Sequence, residues 1–202
     1  MHSNLSHAIP RVFILCRSLG KISYTEAYVR IAGQMGGGLV AFPLFHAVSN
    51  YFELTPFGGP EYSTDKDHFS YAEGFLSEFV ATFLLALVVF GLNLELHFGK
   101  YHYWIKQSLT AIAIRALIEF FPITGPAMNP MLATTWAAFG VGEEFAFPSH
   151  PSHYFIYWVG PWCAAVLAST AYVIYAGGTV LGITLPIGPF KKEKVTSTKK
   201  KD

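Results

Sequence analysis

Gly125-Pro126-Ala127-Met128-Asn129-Pro130 is a polar break between two long apolar segments, and the architecture assigned to the chain turns on it. The apolar run that follows, Met131–Phe139, has nine residues. Crossing a bilayer takes roughly 20, so this run cannot span one. Pro130 suits the first position of a helix, where the missing N–H would have no partner anyway, and Asn129 suits the cap. The Asn129 amide would keep donors to offer to a solute. Two readings stand on this chemistry alone. The run is a capped surface helix, or it enters a membrane with its open end buried in protein or facing water.

Composition weighs on that choice. Of the 202 residues, 52% are hydrophobic and 13% charged, about half the roughly 25% charged share of soluble domains. The aromatic load, with 18 Phe, 11 Tyr and 4 Trp, suits rings that serve both as core and as interface anchors. Net charge is only +1, but the tail holds Lys191, Lys192, Lys194, Lys199, Lys200 and Lys201 against Glu193 and Asp202. Without aromatic interleaving it reads as a cytoplasmic flank or an anionic-lipid contact, not a nucleic-acid site. The chain divides into a membrane domain over 1–185 and a basic tail over 186–202. Met1 leads into a polar stretch without a charged-then-apolar signal peptide.

Four spans are expected. Phe75–Leu94 is twenty residues with one ionisable group, Glu78. Ile31–Tyr51 has no charge, and Gly33 and Gly37 offer a four-residue seam for close approach of another helix. In Phe155–Ala176, Gly160, Ala164 and Ala168 form a similar seam, and Tyr157, Trp158 and Trp162 are placed at the membrane interface. Ile105–Ile123 carries Lys106, Arg115 and Glu119; Arg115 and Glu119 can pair at i,i+4 and are expected to face the interior or an aqueous cavity. A soluble amphipathic helix is the other reading of that segment. Thr179–Leu185 either extends the last helix or forms an end turn.

Basic residues set the orientation. Arg11, Arg17 and Lys21, then Lys100 and Lys106 in the His97–Lys106 link, and the tail, belong in the cytoplasm. The acidic Phe52–Gly74 loop and the Gly140–Tyr154 loop lie opposite. Cys16 and Cys163 have no metal or redox spacing, and Cys163 reads as a small buried residue. His97, His102, His150 and His153 read as exposed loop residues. No cofactor is called for. There is no phosphate-binding Gly-Lys motif and no organised Ser/His/Asp set, so enzyme chemistry has little support; an ordinary soluble enzyme or binding module is the distant alternative.

These motifs resemble the major intrinsic protein family, the aquaporins and aquaglyceroporins. Thr124–Pro130 is similar to the family's second Asn-Pro-Ala loop. Glu78, Thr82 and Phe83 resemble the Glu-x-x-x-Thr-Phe pattern of its fourth membrane helix. Tyr157-Trp158-Val159-Gly160-Pro161 resembles the opening of its sixth, and Tyr28 through Gln34 to Gly37 its third. His7-Ala8-Ile9-Pro10-Arg11-Val12 aligns with the first loop, usually His-Leu-Asn-Pro-Ala-Val, with Ile9 for Asn and Arg11 for Ala.

The resemblance implies an all-α polytopic bundle with four spanning helices and two re-entrant half-helices, Pro10–Leu19 and the run after Pro130. The family's first two spans have no counterpart here. It further implies passive passage of water or a small neutral solute such as glycerol, with Asn129 as donor and Pro130 as half-helix starter. Leu132, where most members carry Arg, and Leu117, where water-selective members often carry His, would line an apolar filter. Met131 would pack against the opposing half-helix, where Ile9 and Pro10 face the path. Glu78 would accept backbone N–H bonds from the second loop. Membrane lipids and a homo- or hetero-oligomer, a tetramer by family resemblance, are the implied partners. The altered first loop and the Asn-Pro-x-Leu pattern look like the intracellular branch of the family, and Lys199-Lys200-Lys201-Asp202 fits a dilysine address to the endoplasmic reticulum. The alternative is a non-conducting structural or regulatory subunit derived from such a channel, or an incomplete product.

Overall fold

The computed structural model describes residues 23–53, 70–96, 98–121, 123–140, 145–176, 179–180 and 183–184. Helix α1 covers Tyr24–Tyr51 and begins where the Ser23 hydroxyl accepts the Glu26 N–H at 3.2 Å. Arg30 pairs with Glu26 one turn on. Helix α2, Tyr71–Phe90, opens with a capping box. Ser70 Oγ accepts the Glu73 N–H at 3.3 Å, and Glu73 Oε2 accepts the Ser70 N–H at 2.7 Å. Such caps contribute about 1 kcal/mol each.

Helix α2 runs on through a π-turn over Gly91–Glu95. There Asn93 Nδ2 donates to the Val89 carbonyl at 2.7 Å, and Asn93 Oδ1 accepts from Lys106 Nζ at 2.9 Å. That bond ties α2 to α3, His102–Phe120. Helix α4 is Pro130–Gly140. The last rod starts as α5, Pro151–Tyr154, passes through a π-turn over Phe155–Val159 and continues as α6, Gly160–Tyr175.

Packing follows the small residues. Gly160, Ala164 and Ala168 are buried, and α6 lies along α2. A methyl on Gly160 would stand 3.4 Å from the Phe75 carbonyl oxygen, so the two backbones are as close as side chains allow. Ala86, Phe90, Ala165 and Ala168 form the core between these helices, with Tyr172 against them. On the other side of α2, Ala81, Leu85 and Val89 meet Leu117 of α3 and Met128 of the preceding coil. Helix α4 packs against α1.

The result is an all-α membrane bundle. Among the described residues three helical rods are long and apolar enough to cross a membrane: Thr25–Tyr51, Tyr71–Glu95 and Pro151–Tyr175. Thr179–Val180 and Ile183–Thr184 pair antiparallel, so these four residues do not extend the last rod.

Several expectations need correction. The α1 seam is at neither Gly33 nor Gly37, which have open space where a Cβ would be; the close approach is at Gly38, where a methyl would collide with Thr135. Arg115 and Glu119 do pair, but their side chains are 70% and 62% exposed and do not face the interior. Each is two residues from buried Leu117, hence about 160° round the helix from the packed stripe. Cys163 is exposed, because it follows Trp162 on the outward side of α6. Tyr157 is fully buried, not an interface ring. His153 is buried as well, while His150 stays exposed and caps α5. Pro10–Leu19, with Ile9 and Pro10, and the tail over 186–202 lie outside the described residues.

Candidate functional site

The coil over Ile123–Asn129 joins α3 to α4 and is bent by two left-handed residues, Gly125 (φ 53°) and Met128 (φ 49°). Glycine takes that conformation freely; for methionine it costs on the order of 1 kcal/mol and persists only where surroundings impose it. Glu78 of α2 imposes it. Its Oε1 accepts the Ala127 N–H at 2.8 Å and its Oε2 accepts the Met128 N–H at 3.0 Å. The twist at Met128 is what lets two consecutive N–H groups converge on one carboxylate, as in a backbone nest.

Glu78 has no exposed surface. A carboxylate so buried requires such donors, since an uncompensated one is strongly destabilising. Thr124 adds a third donor, its Oγ1 lying 3.3 Å from Glu78 Oε1 and 3.4 Å from Ser77 Oγ. From the opposite side, Tyr157 OH donates to the Thr124 carbonyl at 2.8 Å.

Asn129 and Pro130 start α4 as their chemistry dictates. Asn129 Oδ1 accepts the Met131 N–H at 3.1 Å and the Leu132 N–H at 3.5 Å, while its carbonyl accepts the Ala133 N–H at 2.8 Å. The side-chain oxygen is thereby committed to the cap. Among the described residues nothing accepts from Nδ2, so that amide retains its two donors although Asn129 is 95% buried (5% exposed). Ala133, Thr134 and Thr135 behind it are buried. Thr134 Oγ1 donates to the Pro130 carbonyl at 2.9 Å and accepts from Trp158 Nε1 at 2.9 Å; His153 Nε2 lies 3.2 Å from the same hydroxyl. Trp136 stacks on Phe42 of α1 with ring centroids 5.6 Å apart.

Glu78, Asn129, Pro130, Met131 and Leu132 therefore gather at one end of α4. Met131 is buried, whereas Leu132 is 37% exposed. Leu117 sits in the same core cluster as Met128. Sequence reasoning did not place Thr124, Thr134, His153, Tyr157 or Trp158 among the site residues: Tyr157 and Trp158 were read as interface rings and His153 as an exposed loop residue. A signal for one of them was there: Tyr157, Gly160, Ala164 and Ala168 are spaced three, four and four apart. That places Tyr157 on the buried stripe of its helix.

The family profile described as Major intrinsic protein matches residues 3–172. The chain belongs to the major intrinsic protein family. It is accordingly a multi-pass membrane protein of a channel family, not of an enzyme family. Over 179 residues it is 28% identical to a relative named "Probable aquaporin TIP-type alpha" from Phaseolus vulgaris. That match covers 85% of this chain and 62% of the relative, so the chain spans about three fifths of the length of the curated relative it matches. No solved structure matches. The loop held by Glu78 contains Met128-Asn129-Pro130, the stretch that resembles the family's second Asn-Pro-Ala loop.

Proposed function

We propose that this major intrinsic protein lines a path for passive movement of water or a small neutral solute such as glycerol. The observation that carries the reading is the Asn129 amide: buried, held by its own oxygen, and left with two free donors at the amino end of α4. Helix N-termini carry partial positive charge, and aligned with the amide they would turn a solute oxygen toward the helix and disfavour cations. Leu132 and Leu117 would line the narrow region with apolar surface, and Pro130 and Met131 would shape its floor. Ile9 and Pro10 would face them from the other side. This reading takes α1, α2, α3 and the last rod as four spans, with one half-helix before the first of them and another, α4, before the last, working as a homo- or hetero-oligomer in lipid, a tetramer by family likeness.

A second reading, a non-conducting subunit, is favoured by α1. Only 6% of its most apolar window is buried, leaving most of its length for lipid or a partner. Stopped-flow swelling of proteoliposomes separates the two. Water or glycerol rates well above those of empty vesicles, lost in Asn129→Asp, support conduction; rates equal to empty vesicles for the natural sequence support the subunit reading.

A further inference from the structure

The π-turn at Phe155–Val159 has a geometric effect on the site. In an α-helix, residues five apart lie about 140° from one another round the axis. A π-turn, closed by i→i−5 bonds, brings such residues toward one side. His153 and Trp158 are five apart, and both reach the single hydroxyl of Thr134. Tyr157, next to Trp158, reaches the Thr124 carbonyl. One π-turn thus holds the coil on one side of Asn129 and the first turn of α4 on the other.

We propose that this π-turn is a clamp, with Tyr157 and Trp158 as positioning residues that set where the Asn129 amide stands. Glu78 holds the N–H groups of Ala127 and Met128 and the Thr124 hydroxyl, all before Asn129. The side of the site that follows Asn129 is restrained by Trp158 and His153 through Thr134, whose hydroxyl is bonded to the Pro130 carbonyl. Tyr157 has no exposed surface and its ring lies 4.9 Å from that of His153, so the clamp side chains also brace one another. The role in solute passage rests on the channel reading above; the clamp itself does not.

The test is amide hydrogen exchange on the full chain in lipid nanodiscs, comparing Tyr157→Phe and Trp158→Phe with Tyr172→Phe. Each removes one hydrogen-bond donor; the two tyrosine variants keep the ring, and Trp158→Phe keeps a smaller aromatic ring in its place. Tyr172 is on the same rod, but its hydroxyl donates to Glu95, away from the site. Exchange over residues 124–134 is expected to rise roughly tenfold in the first two variants, the factor that losing one ordinary hydrogen bond allows. It stays unchanged in Tyr172→Phe, and exchange over α2 stays unchanged in all three, which shows that the bundle is intact. Natural exchange over 124–134 in both Tyr157→Phe and Trp158→Phe overturns the clamp, as does an equal rise in Tyr172→Phe. Swelling assays on the same samples read the channel separately. If the natural chain conducts, the clamp variants shift its glycerol-to-water permeability ratio; if it does not, the channel reading falls while the exchange result still decides the clamp.

Discussion

Glu78 and Asn129 divide the work at the site between holding and presenting. Removing the Glu78 carboxylate orphans two buried N–H groups and leaves Met128 in a left-handed conformation with nothing to impose it. Glu78→Ala should therefore cost about 3 kcal/mol, the range for breaking buried charge-assisted bonds. Glu78→Gln should cost less, because its single oxygen still satisfies one of the two. Thermal unfolding in detergent measures both, and equal losses would show that the single oxygen glutamine keeps contributes nothing. Asn129→Asp keeps the capping oxygen and exchanges the donors for a second, charged oxygen, so it should abolish permeation and, through the buried charge, also lower stability. Asn129→Ala should lower stability by about 1 kcal/mol through the lost cap. Permeation unaffected by Asn129→Asp would remove the amide from the mechanism.

At the scale of elements, α4 docks against α1 through the Phe42–Trp136 stack and a close approach at Gly38. Gly38→Ala pushes a methyl into Thr135 and should destabilise by about 1–3 kcal/mol, the usual penalty for overpacking. Gly37→Ala, its neighbour, meets nothing and should be neutral or slightly stabilising, since alanine favours helix by about 1 kcal/mol over glycine. Unfolding midpoints of the two variants provide the check; equal effects would mean that α4 is not seated as described. The four-residue spacing points to Gly33 and Gly37 rather than Gly38, because composition marks where a helix permits approach without saying which neighbour arrives. The start of α4 was legible, since Asn129 and Pro130 are local signals that need no tertiary partner. The π-turns were not. They arise where a rod must aim side chains at a neighbouring loop, and Phe155–Val159 has no local composition that dictates one. Cys163 and His153 went wrong for a related reason: residue type gives average burial, whereas the facing element decides the individual case.

At the scale of the whole molecule, long apolar rods were plain in the sequence and three of them stand among the described residues, while α3 differs by carrying Lys106, Arg115 and Glu119. Lys106 reaches Asn93 near one end of α3, and the Arg115–Glu119 pair lies on its outward face. An exposed i,i+4 pair contributes only about 0.5 kcal/mol or less, so replacing both by alanine should hardly move the unfolding midpoint of the isolated chain. A loss of about 2 kcal/mol or more would mean that the face is covered in an assembly, since only breaking a desolvated pair costs that much. The central claim about the molecule is narrower: α4 begins inside the membrane, with Asn129 beside a solute path. It is tested most directly by a spin label at Leu132, in a chain whose Cys16 and Cys163 are replaced by serine and alanine. Collision with oxygen and with a water-soluble relaxant gives the depth of the label in nanodiscs. The account predicts a position near the bilayer midplane that the aqueous relaxant still reaches; a label at the headgroup boundary would contradict it.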